Sequence, residues 1–135
     1  MRYVIVKPKT REVYANNFDT IQDAMVDAGL EPHAVDMGVL ARGLGYVVYE
    51  YGLFDPPSQT SYCGIAGRLI PGPTVLYGFD EAGETIDLRR SEIPDVAFYL
   101  GVNDVEAAID RNEIERPEIS VNGAVLWQWP QPRIM

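Results

Sequence analysis

The sequence predicts an α+β fold: a twisted antiparallel sheet of short strands with two helices packed on it. Three observations lead there. Runs of β-branched and aromatic residues recur at short spacing, as in Tyr3 to Val6, Tyr46 to Tyr51 and Thr74 to Phe79. Two stretches show the apolar period of a helix. Twelve glycines and ten prolines in 135 residues call for many turns rather than a helical bundle.

Taken in order, Arg2 to Lys7 reads as a first strand, Pro8-Lys9-Thr10 as a turn, and Arg11 to Ala15 as a returning strand. Asp19 can cap a helix, with Gln22 three residues on completing a capping-box pattern. Ile21, Ala24, Met25 and Ala28 share one helical face. Gly29 suits the position past the helix end, with Leu30 folding back onto Met25. Val35, Met37 and Val39 then alternate as a strand, Gly43-Leu44-Gly45 offers a turn, and Tyr46 to Tyr51 forms the next strand. Gly52 to Ser61, with Asp55-Pro56-Pro57-Ser58, reads as the longest loop. Ile65 to Ile70 and Thr74 to Phe79 read as strands around Pro71-Gly72-Pro73. Asp80-Glu81-Ala82-Gly83 makes a turn before Thr85 to Leu88, and Asp95 to Leu100 reads as a buried strand. Asn103 can cap a second helix with Glu106 in the capping-box position, burying Val105, Ala108 and Ile109. Asn122-Gly123 between Ile119-Ser120-Val121 and Ala124 to Trp127 is a strong hairpin signal.

Length and composition indicate one domain, residues 1–135, able to bury roughly two-thirds of its unfolded surface without a disulfide or metal. The opening Met1 to Pro8 has too short an apolar stretch for a signal peptide, and no apolar run reaches the length of a membrane span. A single cysteine, Cys63, allows no internal disulfide, and a reducing cytoplasm is the expected compartment. Net charge is −9 and unevenly placed. Residues 1–78 carry eight acids and six bases; residues 79–135 carry twelve acids and five bases. Direct nucleic-acid binding is disfavoured, because phosphate contacts need clustered Lys and Arg.

A family resemblance rests on a series of short motifs. Tyr3-Val4-Ile5-Val6-Lys7-Pro8 is followed by Phe18-Asp19-Thr20-Ile21-Gln22, Val35-Asp36-Met37, Tyr46 to Leu53, and Gly67 to Gly78. This order of turns and strand edges resembles domain-of-unknown-function family 3846, small proteins of phages, plasmids and other mobile elements. The likeness covers about residues 2–88. Residues 95–135, the second helix and hairpin, form an extension outside it. The resemblance implies a mobile-element context and supplies no catalytic residues.

Candidate sites were weighed against plainer roles. Cys63 and His33, each the only residue of its kind, could pair as nucleophile and base. No motif links them, and a buried strand cysteine with a turn histidine is the plainer account. The acidic run Asp80 to Glu84 lacks the alternating ligands of a calcium loop and reads as a solvated turn. Gly43-Leu44-Gly45 and Gly72-Pro73 form no phosphate loop, and Ser58 and Ser61 lie in no nucleophile elbow. With Asn122-Gly123 as a two-residue turn, Ile119, Val121, Ala124 and Leu126 share an apolar face meant for the core. Glu118, Ser120, Val125, Trp127 and Trp129 share the other. Trp127 and Trp129 are therefore candidate partner anchors, unless another element covers that face. Glu106, Asp110 and Glu113 form an acidic helix face, either simply solvated or a dock for a basic protein.

The expected function is thus a non-catalytic protein–protein interaction module, acting on a protein partner or a second copy of itself. It needs no cofactor, metal or membrane. The alternative is an enzyme whose pocket assembles from scattered carboxylates or the Cys63 region.

Overall fold

The structure is a computed structural model of the chain, describing residues 1–53 and 60–130. Its strands are β1 (Arg2–Lys7), β2 (Glu12–Asn17), β3 (Val35–Ala41), β4 (Leu44–Tyr49), β5 (Ser61–Ile65), β6 (Arg68–Pro71), β7 (Thr74–Phe79), β8 (Thr85–Ile86), β9 (Val96–Leu100), β10 (Glu118–Val121) and β11 (Ala124–Gln128). The helices are α1 (Ile21–Ala28) and α2 (Gly101–Asp110). The fold is α+β. Its antiparallel strands divide among a six-stranded sheet ordered β2-β1-β7-β4-β3 with β8 beside β7, a three-stranded sheet ordered β6-β5-β9, and the β10-β11 ribbon.

Alternation along the strands builds four layers. In β1, Tyr3 and Ile5 face α1 with Val75 of β7 and Val47 of β4, against Ala24, Met25 and Ala28 of the helix. The opposite side chains, Val4, Val6, Leu76 and Val48, meet Cys63, Ile65 and Ile70 of the three-stranded sheet. That sheet's far face carries Tyr62, Leu69 and Tyr99, which pack on Val105 and Ala108 of α2 and on Trp129. The order is α1, six-stranded sheet, three-stranded sheet, α2. Being covered on both faces, β5 is buried at all five residues.

The ends of α1 follow local chemistry. Thr20, extended at φ −135° and ψ 161°, is the N-cap, and its hydroxyl accepts the Asp23 N–H at 3.1 Å. The cap therefore lies one residue beyond Asp19. At the other end Gly29 takes φ 91°, and the Leu30 N–H reaches the Met25 carbonyl at 2.8 Å, the Schellman closure expected of this pair.

Three boundaries and the exposure of one strand differ from the sequence expectation. The stretch 65–70 straddles a hairpin: Ala66 and Gly67, at φ 53° and 76°, turn β5 into β6. The turn near residue 43 is Arg42-Gly43, and Gly45 lies inside β4, where a Cβ would come within 2.2 Å of the Tyr77 ring. Helix α2 starts at Gly101, because Asp104 turns its carboxylate back to accept the Leu100 N–H at 2.9 Å; Asn103 is no cap. Met37 and Val39 alternate correctly yet are 52% and 53% exposed. A helix about 10 Å wide spans only about two strands spaced near 4.8 Å, so α1 over β1 and β7 leaves β3 uncovered. The expected loop at Asp55-Pro56-Pro57-Ser58 lies outside the described residues.

Ile5→Ala should lower stability by roughly 2–5 kcal/mol, since this side chain is fully buried against α1. Gly29→Ala should cost about 1 kcal/mol through backbone conformation alone, a Cβ there meeting nothing within 4 Å. Urea midpoints read both, and a neutral Gly29→Ala would contradict the left-handed helix end.

Candidate functional site

The C-terminal ribbon departs from an unbroken ladder at one place. Asn122 and Gly123, at φ 51° and 82°, make the expected tight turn, and Val121 pairs with Ala124 and Ser120 with Val125. Ile119 then pairs with Trp127 rather than with Leu126, which is the extra residue of a bulge. That single residue moves Trp127 onto the apolar face with Ile119 and Val121. The Trp129 N–H donates to the Pro117 carbonyl at 2.9 Å, and its ring packs edge-on against Tyr62 with centroids 5.9 Å apart.

Trp129 is accordingly no surface anchor: it is fully buried, and its Nε1 has no hydrogen-bond partner among the described residues. Trp127 is half-buried beside it. The face expected to form core is instead exposed, with Ile119 at 44%, Val121 at 53% and Leu126 at 67%; Val125 on the other face is 53% exposed. Both faces of the ribbon are thus exposed, and only Trp127 and Trp129 near its base turn into the packed body.

The acidic helix face is likewise altered by its neighbours. Glu106 holds Arg116 through two bonds of 2.9 and 2.7 Å, and the same guanidinium donates to the Trp129 carbonyl at 2.7 Å. Glu113 holds Arg111 at 2.9 and 3.1 Å. That guanidinium lowers the Glu113 carboxyl below its usual range. Asp110 remains exposed. Two of the three acids are thus matched by arginines, so the expected basic dock on this face reduces to Asp110, and Glu106 acts to pin the ribbon.

That pin shapes a cleft. Glu115 donates its N–H to the Gly67 carbonyl at 2.9 Å, so the chain after α2 starts alongside β6. It then leaves through Pro117 into β10. The separation opens a cavity of about 630 Å³ lined by Leu40, Tyr46, Leu53, Arg68, Leu69, Ile70, residues 115–119 and Trp127. Leu40 lies between the β3–β4 pairs Val39–Gly45 and Ala41–Leu44, where the register shifts, and Arg68 donates to the Val39 carbonyl at 2.6 Å. A volume of this size is in the range of ligand and peptide pockets. Of its members only Trp127 is a candidate partner anchor from the sequence; Glu118 and Ile119 enter there only as hairpin positions. Leu40, Tyr46, Arg68 and Glu118 are 78 positions apart at the extremes, and no local pattern joins them.

Cys63 sits in the middle of β5, fully buried, and burial pushes its thiol up to about 12. His33 is exposed in the turn after α1, 3.2 Å from Glu31. This placement contradicts the nucleophile-and-base pairing. Asp80 accepts the N–H groups of Ala82 and Glu84 at 3.0 and 2.9 Å, so its carboxylate closes a turn. No group of three metal-ligating side chains forms among the described residues, and no described helix is long and apolar enough to cross a membrane.

Cys63 should resist a disulfide labelling reagent at pH 8 in the native protein and react fully in urea. Labelling of the folded protein at the rate of a free thiol would overturn its burial. Arg116→Met should loosen the ribbon, destabilising by about 1–3 kcal/mol with most of the added hydrogen exchange confined to residues 115–130.

Comparison with known proteins returns no match: no family model fits the chain, and neither a curated protein nor a solved structure aligns with it.

Proposed function

We propose that this chain is a non-catalytic interaction module that works by protein–protein contact along the β10–β11 ribbon and the cleft beside it. The observation that carries this reading is the ribbon itself. Within Glu118 to Gln128, four aliphatic side chains, Ile119, Val121, Val125 and Leu126, are 44–67% exposed. The ribbon joins neither sheet and is attached through Trp129 and the Arg116–Glu106 pair. A two-stranded hairpin is marginal alone in water, and burying its aliphatic surface would stabilise both the ribbon and a complex.

A second copy is the occupant this surface favours. Among the described residues of the ribbon, Glu118 at its base is the sole charge, so two ribbons can approach about a two-fold axis with little repulsion. The setting we propose with it is the mobile-element context that the resemblance over residues 2–88 implies, where such a dimer would contact a host protein. Cys63, buried in β5, and His33, exposed beside Glu31 in the turn after α1, weigh against the enzyme alternative.

Light scattering on wild type and on Val125→Glu/Leu126→Glu tests the reading. Wild type should be a dimer, and the variant a folded monomer with unchanged circular dichroism. A wild-type monomer at about 100 μM, a concentration at which a micromolar dimer would be nearly complete, would overturn the self-association.

A further inference from the structure

The cleft has a wall that is a free sheet edge. In the β5–β6 hairpin, Ile65 and Arg68 flank the two-residue turn, and the Gly72 N–H reaches the Ser61 carbonyl at 2.9 Å. Bonded pairs in an antiparallel ladder alternate. The bonded pairs are therefore Ile65–Arg68, Cys63–Ile70 and Ser61–Gly72. Leu69 and Pro71 belong to the other set and turn their main-chain groups away from β5, toward the cleft. The next outward carbonyl along this edge, that of Gly67, is already taken by the Glu115 N–H. This chain makes one rung beside β6 and then diverges. The Leu69 N–H, its carbonyl and the Pro71 carbonyl are left without a partner among the described residues.

Space and charge follow the same edge. The main cavity and a smaller one beside it share Tyr46, Leu53 and Leu69, so the two together flank β6 from Arg68 to Pro71. Their lining carries Asp36, Glu50, Glu115 and Glu118, none of which forms an ion pair among the described residues. On the positive side, Arg116 is neutralised by Glu106, and Arg68 is held by the Val39 carbonyl.

We propose that this cleft binds an extended peptide segment of alternating apolar and basic residues, which adds as a further strand to the free edge of β6. Main-chain bonds to Leu69 and Pro71 fix its position. The period of two sends alternate side chains to opposite faces. Apolar ones meet Leu40 and Tyr46; basic ones meet Glu115 and Glu118. The basic docking surface thus lies in the cleft rather than on α2, where arginines already answer Glu106 and Glu113. This rests on the reading of the chain as an interaction module and gives its cleft a substrate class.

The probe is the capped hexapeptide Val-Lys-Val-Lys-Val-Lys, titrated by calorimetry and by Trp127 fluorescence. Saturable binding is expected, weakening about tenfold from 50 to 500 mM salt as screening grows. Glu115→Gln/Glu118→Gln, at exposed positions, should weaken it about tenfold while leaving circular dichroism unchanged. The same peptide N-methylated at alternate residues should lose binding, since it keeps charge and side chains but not the strand edge. Equal binding of the N-methylated peptide overturns strand addition, and equal binding of Val-Glu-Val-Glu-Val-Glu overturns the charge selection. No saturable binding of the basic peptide overturns the proposal outright. In that case the solution mass of the ribbon variant still decides the dimer reading separately.

Discussion

Double-sided burial of β5 is the constraint on which the other layers depend. Cys63 and Ile65 fill the space beneath the six-stranded sheet, while Tyr62 meets α2 and Trp129 on the opposite side. At Gly64 the absent side chain matters. A Cβ there would lie 3.0 Å from both Ile114 and Tyr99, so the Tyr99 ring and the end of the α2 segment settle against the strand. Apart from the hydroxyls of Ser61 and Tyr62 its side chains are apolar, so β5 is a strand that is covered on both faces. The helices consequently lie at opposite ends of the stack. Their separation divides the core into three clusters rather than one.

The outer half of the molecule, beyond α2, is organised by charge instead of by apolar volume. Arg116 ties together a helix through Glu106 and a strand through the Trp129 carbonyl, in a partly covered setting where such bonds are stronger than at the open surface. Burial of Trp129 against Tyr62 adds the apolar contact. Together they fix the base of the ribbon and leave its tip outside the packed body. The exposed aliphatic side chains and the cleft share this origin: the ribbon is anchored at one end only.

Elements with purely local causes were legible beforehand. The Schellman end of α1 at Gly29-Leu30, the Asn122-Gly123 turn and the β1 strand depend on neighbours within a few residues, and the structure shows each where the pattern put it. The capping of α2 was harder. The helix begins two residues before Asn103, which brings Asp104 rather than Glu106 within reach of the N-terminal Leu100 N–H. The candidate site was scarcely legible. Leu40, Tyr46, Arg68 and Glu118 become neighbours through the stacking of two sheets and the path of the chain after α2.

By itself the sequence determined the fold class, the β1 strand and the turns at Gly29-Leu30 and Asn122-Gly123, because dihedral preference and side-chain period act over short distances. It did not determine which side of an alternating strand would be covered. Trp129 is buried because Tyr62 and Arg116 meet it at the ribbon's base, while Ile119, Val121 and Leu126 stay exposed because no layer covers them. Tertiary structure decided that, since a strand's two faces are equivalent until another layer packs on one of them.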